Sequence, residues 1–299
     1  MEEASLGIFD TPYNPDCRRK IRRRSIWSMP ELPEVEITRR GIKPHIQGRR
    51  ITALAVRNRH LRWPVPTSLQ RILIDRTIEA VDRRGKYLLL RSQGGTLIVH
   101  LGMSGSLRVL RSNVPAGVHD HVDVIFGDVM LRLRDPRRFG AVLWHPAGPE
   151  PHKLLRHLGP EPLGEGFTGD YLFRASRKRR VAIKPFLMNH LVVVGVGNIY
   201  ASEALFRSGI HPALSAGKLS RERCEALVKA IRQTLEDALK AGGSTLRDFV
   251  GSDGKQGYFQ HQRTVYDREG EPCRVCRTPI KALRQGQRST FFCPVCQRR

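Results

Sequence analysis

The apolar residues of this chain change period once, and that change limits its fold more than any other feature. From about 49 to 145 the chain reads as short strands: ITALAV, RTIEAV, KYLLL, TLIVHL, SLRVL, HVDVIF, VMLRL and AVLWH. Turn residues separate them at spacings of roughly ten residues, the rhythm of an antiparallel sandwich or barrel. Several runs are apolar without alternation, which predicts strands covered on both faces. The stretch LGPEPLGEGFTG, 158–169, is dense in Gly and Pro and reads as an interdomain hinge.

Beyond 169 the period is helical. Two short helices are expected at 181–190 and 198–208, around Gly195-Val196-Gly197-Asn198. Ser220 caps a long helix with Cys224, Leu227, Ile231, Leu235 and Leu239 inside, stopped by Gly242-Gly243. Residues 242–262 read as a Gly-rich loop. Ahead of the strands, 30–44 reads as a helix. Pro33 suits its first turn, Glu34 and Glu36 complement its positive end, and Val35, Thr38 and Ile42 share a face. The fold class is α+β with two domains: an N-terminal antiparallel β-sandwich carrying an N-terminal helix, and a helical C-terminal domain.

Four of the six cysteines form Cys273-x2-Cys276-x16-Cys293-x2-Cys296, while Cys17 and Cys224 stand alone. Paired C-x2-C knuckles at this separation predict one structural zinc ion rather than disulfides, and so a reducing compartment. Lys281, Arg284, Gln287 and Arg288 lie between the knuckles. A hairpin with cations at its tip can read a groove or a phosphate, or zinc can simply staple the chain's end. The formal net charge of +24 points to a polyanionic partner. No apolar run of about 18 residues could span a bilayer, so nucleic acid is preferred to a membrane. Residues 1–28 lack the apolar core of a secretory signal, and a cytoplasmic location is expected.

Residues 1–28 look foreign to the remainder and end in a basic cluster, Arg18 to Arg24. They read as a disordered tail, a tail that touches DNA or targets the protein, or sequence upstream of a true start at Met29. The body then opens with MPELPEVE, 29–36, which by physics alone is only an acidic helix start. That octet resembles the start of the bacterial formamidopyrimidine-DNA glycosylase family. So do RRGKYLLL (83–90), HLGMSGSLR (100–108), HDHVD (119–123), DPRRFGAVLW (135–144), AIKPFLM (182–188), GVGNIYASEALF (195–206) and the zinc tail, colinearly over 29–299.

The resemblance implies a bifunctional glycosylase and abasic-site lyase that removes oxidised purines from double-stranded DNA by β,δ-elimination. It implies a monomer, bacterial and cytoplasmic, on the nucleoid when bound to DNA. It also implies a helix–two-turn–helix and a β-hairpin zinc finger in the second half. Domains are then expected at 29–157, 170–265 with a lesion-capping loop, and 266–299, around the hinge. Pro30, freed of Met29, would be a secondary amine that attacks C1′ and forms an iminium. Glu31 would be general acid and base, a role that needs local desolvation. Lys86, an ordinary hairpin lysine by spacing alone, would reach the lesion phosphate. Arg288 would stabilise the departing phosphate.

Met103, Arg137 and Phe139 would fill the hole left by the everted base, although the first and last also suit a core. His100, His119, Arg179 and Asn198 match positions near DNA; His100 could equally be structural. Asn198 opens a helix whose N–H groups can bind phosphate, and Lys184 could face DNA. The stretch Ser244 to Tyr258 resembles a lid over the everted base.

Two departures stand out. The 28-residue extension, if retained, acylates Pro30. In MNHLVVVGVGN, 188–198, the usual polar residues are shifted. Two rivals follow: an endonuclease VIII type acting on oxidised pyrimidines, against which Leu32 and the Met103, Arg137, Phe139 set argue, and a non-catalytic damage-binding zinc protein.

Overall fold

A computed structural model describes residues 30–146, 148, 152–243 and 262–299. The expectations for the 1–28 tail and for the lid within 244–258 lie outside these residues.

Helix α1 spans Leu32–Ile46, starting two residues later than the pattern suggests because Glu31 is its N-cap. The Glu31 N–H donates to the Glu34 carboxylate at 2.9 Å, half of a capping box. Val35, Thr38 and Ile42 are buried on one face, as their spacing requires, and Ile46 continues it.

All eight anticipated strands form. One sheet has the order β1 (Ala53–Val56), β6 (Asp120–Phe126), β7 (Val129–Arg134), β5 (Ser106–Arg111). The other runs β2 (Ile78–Arg84), β3 (Tyr87–Ser92), β4 (Gly95–His100), β8 (Ala141–His145). Every pairing is antiparallel. Leu88, Leu90, Leu97 and Val99 of the second sheet meet Val122, Val124, Leu131 and Leu133 of the first, and α1 closes the same core. Each such side chain contributes about 1.5–3 kcal/mol on burial. The opposite face of β3 and β4 is covered too: Leu89 and Ile98 pack on Leu155, which explains their unbroken apolar runs.

Two further short helices lie outside the anticipated set: α2 (Leu69–Leu73), and α3 (Gly169–Ser176), capped by the Thr168 hydroxyl. Helix α4 is only Ile183–Leu187, shorter than 181–190. Asn189 ends it by taking the Leu191 N–H on its side chain and the Val192 N–H on its carbonyl. Helix α5 spans Asn198–Arg207, and α6 spans Arg221–Lys240 with its Ser220 cap in place. Leu239 is only half-buried. The helical period carries the buried stripe from Ile231 and Leu235 to Ala238 instead. Gly242 and Gly243 stop α6 at φ +76° and +80°.

Strands β9 (Lys281–Gln285) and β10 (Arg288–Phe292) form the terminal hairpin. It shares the helical core, since Val265, Cys273 and Phe291 pack in one cluster with Ile199, Tyr200, Leu227 and Ile231. Lys281 pairs with Phe292 at the hairpin's base, so only Arg284, Gln287 and Arg288 are near the tip. Among the described residues no helix is long and apolar enough to cross a membrane.

Candidate active site and nucleic-acid cleft

The start of α1 is pressed against the loop before α5. The Leu32 N–H donates to the Gly195 carbonyl at 3.1 Å. Gly195 has φ +80°, and a Cβ there would lie 2.6 Å from the Leu32 Cβ; at Gly197 it would lie 2.3 Å from the Glu31 Cδ. The Gly-Val-Gly run is thus a slot that only bare backbone can form. Inside it the Glu31 carboxylate accepts N–H bonds from Gly197 (2.7 Å), Ile199 (3.0 Å) and Tyr200 (3.4 Å).

This overturns one expectation. Those amides of the α5 N-terminus are occupied by Glu31 and are not open to a phosphate. Glu31 is 2 % exposed. Burial pushes its carboxyl above the usual range, Lys86 opposes that, Glu34 adds to it, and the Ile199 and Tyr200 N–H groups oppose it. The desolvation that proton donation demands is present, although the helix end beside the carboxylate belongs to α5 rather than α1. Pro30, also buried, stands directly before it.

Lys86 follows Gly85 in the turn between β2 and β3. Its ammonium is withdrawn from water, which lowers its pKa; Glu31 raises it and Arg288 lowers it further. That environment is not one of a free surface lysine. Lys184 differs from expectation as well: it is 1 % exposed, and its ammonium donates to the Ser289 carbonyl (3.1 Å) and Thr290 hydroxyl (2.9 Å). It is a buried strut beneath Arg288 that also lines the cleft shared by Asn198 and Arg288, and burial lowers its pKa to about 7. His100 is held near pKa 4 by burial, with Lys86 and Arg62 adding to the fall. Its Nδ1 accepts the Gly102 N–H at 3.0 Å, so the neutral ring carries its proton on Nε2.

A cleft of about 600 Å³ brings His100, Met103, Arg137, Phe139 and Arg288 to one place. Phe139 is 42 % exposed, so it is not a core residue, and the Arg137 guanidinium lies 4.9 Å over its ring. The turn that carries both is braced from within. Buried Asp135 accepts the Ser104 hydroxyl (2.8 Å) and the Gly140 N–H (2.7 Å). Gly102, at φ +65°, sits so close that a Cβ would meet the Phe139 carbonyl carbon at 2.4 Å. The Met103 and Phe139 loops are therefore one clamped unit.

His60, Arg62 and Arg138 line the same cleft. The basic–aromatic run Asn58 to Trp63 was the available signal for the first two. His119 is half-buried, and its carbonyl takes the Asp135 N–H at 3.0 Å, which sets it against the Phe139 turn. Asn198 lines a second cleft, of about 270 Å³, with Arg288 and Met188. It donates to the Tyr266 hydroxyl at 3.2 Å, a partner the sequence did not flag. Arg179 is exposed; its backbone is tied to Ser215 and Gly217, and no described contact joins it to the cleft.

Cys273, Cys276, Cys293 and Cys296 place their sulfurs within 4.8 Å of one another, with pairs at 3.9 and 3.4 Å. A tetrahedral zinc with bonds of about 2.3 Å needs sulfur separations of about 3.8 Å, so the four thiolates fit the ion. Zinc supplies the cross-link that this small tail lacks. Its removal by chelation, or Cys276→Ser, is expected to detach the hairpin and cost at least about tenfold in DNA affinity, since Arg288 loses its support. Zinc content and DNA binding titrated together test this. Undiminished binding by zinc-free protein would refute it.

Three sequence profiles match the chain: Formamidopyrimidine-DNA glycosylase N-terminal domain at 29–142, Formamidopyrimidine-DNA glycosylase H2TH domain at 158–250, and Zinc finger found in FPG and IleRS at 270–299. A formamidopyrimidine-DNA glycosylase of Aromatoleum aromaticum is 60 % identical over 271 residues, covering 91 % of this chain and all of that protein. The MutM (FPG) protein of Thermus thermophilus superposes with a TM-score of 0.82 at 37 % identity, over 90 % of this chain and 98 % of that one. A mutant of Lactococcus lactis FPG, solved with DNA containing Fapy-dG, gives 0.84 at 34 % identity, over 90 % and 100 %.

Proposed function

The chain belongs to the formamidopyrimidine-DNA glycosylase family, and from that premise we propose how its residues act. The protein is a DNA glycosylase and abasic-site lyase of base excision repair, directed at oxidised purines. Double-stranded DNA lies across the cleft between the sandwich and the helical domain. Phe139 and Met103 enter the stack as the damaged base leaves it, and Arg137 faces the base left opposite.

The Pro30 nitrogen, unacylated, attacks C1′. The glycosidic bond breaks, and the base departs with a proton. Glu31 protonates the sugar ring oxygen as the C1′–O4′ bond opens and the iminium forms. The iminium acidifies the 2′ protons; loss of one breaks the C3′–O bond, and a second elimination releases the 5′ phosphate. Lys86 and Arg288 hold phosphate oxygens. His100 offers its Nε2–H to one without carrying charge. Arg288 acts by its field, because a guanidinium is a poor proton donor.

The observation that carries this reading is the Glu31 carboxyl, buried and raised in pKa directly after Pro30. The protein acts as a monomer in the cytoplasm, on nucleoid DNA. The boundaries 29–157, 158–169, 170–265 and 266–299 describe its working parts. Duplexes with a single 8-oxoguanine or a single thymine glycol test the substrate. The purine lesion is expected to be cut at least about tenfold faster, and the reverse order would favour the endonuclease VIII type.

A further inference from the structure

The segment 158–169 does not behave as a loose tether. The Glu161 carboxylate takes the Gly85 N–H at 2.7 Å, Arg84 at 2.9 Å and Arg83 at 2.8 Å. Gly85, at φ +56°, is the residue before Lys86. Arg83 also donates to the Gly85 carbonyl (2.9 Å) and, through Nε, to Glu36 of α1 (3.1 Å). Both polar groups of the Gly85 residue are thus held, one by Glu161 and the other by a guanidinium that Glu161 itself fixes. On the other side, the Pro160 carbonyl accepts the Val194 N–H at 3.2 Å, next to the Gly195–Gly197 slot that receives Glu31.

We infer that Glu161 is a positioning residue: by clamping the Arg83–Gly85 turn to α1 and to the Glu31 slot, it sets where Lys86 stands relative to the reacting sugar. The inference rests on the role of Lys86 given above. Half-buried ion pairs that share one carboxylate and a backbone N–H are geometrically stricter than lone surface pairs. A turn released by even 1 Å can cost about a hundredfold in rate.

A double-mutant cycle on the full-length, zinc-loaded enzyme tests it, read as strand cleavage at a preformed abasic site. Glu161→Ala is expected to slow kcat by about ten- to a hundredfold with KM nearly unchanged. Glu161→Gln, whose amide oxygen still accepts the Gly85 N–H, is expected to recover most of the loss. In a Lys86→Ala background Glu161→Ala should add almost nothing, because the group it aims is gone. A purely structural role would impose the same factor in both backgrounds, and that result would overturn the inference while leaving the Lys86 role intact. If Lys86→Ala cleaves at the parental rate, the role of Lys86 falls and this inference with it. Should Glu161→Ala not fold, Glu161→Asp, one methylene short of Gly85, takes its place in the cycle.

Discussion

Protein whose chain begins at Pro30 is expected to form a borohydride-reducible adduct with 8-oxoguanine DNA, and protein that keeps even Met29 is expected to form at least about a thousandfold less, since removal of a nucleophile can cost up to about 10⁶-fold. The reason lies in one atom. An internal proline nitrogen is a tertiary amide whose lone pair is delocalised. A terminal one is a secondary amine, neutral in part near pH 8. The experiment also discriminates, because two lysine amines feel the charge of Glu31, the residue after Pro30. Burial lowers the pKa of Lys86, a direction that favours its neutral form, and that of Lys184 to about 7. Lys184 is engaged with Ser289 and Thr290, whereas Lys86 faces Glu31 and Arg288. Mass spectrometry of the reduced adduct should place the bond on Pro30. A bond on Lys86 would transfer the nucleophile's role to that residue.

Glu31→Gln is expected to lower base excision by about 10²- to 10⁴-fold, the usual contribution of a positioned proton donor. It should leave DNA affinity nearly unchanged, because the carboxyl faces backbone amides. A pH signature accompanies it. The folded-state pKa of Glu31 lies above the ordinary 4.5. For a carboxyl shifted in that direction, stability is fully present below the unfolded value and declines as pH rises through the folded one. The parent protein should therefore lose part of its thermal stability above pH 4.5, and Glu31→Gln should lack that part of the slope. Parallel slopes would show that Glu31 is ionised in both states, and a proton donor role could not stand.

Much of this architecture was legible in the chain. Eight strands announced themselves because their faces alternate or are wholly apolar, and α6 because Ser220 and the Gly242-Gly243 pair punctuate a clean helical stripe. The four cysteines needed only their spacing. What stayed hidden was long-range. Nothing near Glu31 signals that its partners are the amides of Gly197 and Ile199, more than 160 residues on. Lys184 looks like any basic residue until the zinc hairpin covers it. The Gly- and Pro-rich 158–169 stretch reads as a hinge, and composition does not reveal that its Glu161 finds Gly85, Arg83 and Arg84. Helix α3 escaped notice because its eight residues directly follow the Gly- and Pro-rich stretch and span only about two turns.

The Gly102 contact has a kinetic consequence. The chain passes from one sheet to the other at Met103 and back again at Phe139, and both crossings are stitched together before any nucleic acid arrives. A probe already rigid surrenders little conformational freedom at each trial insertion. On the wedge role proposed for Met103 and Phe139, intact base pairs would be tested and abandoned at almost no entropic cost, so a search along a genome would be quick without being indiscriminate.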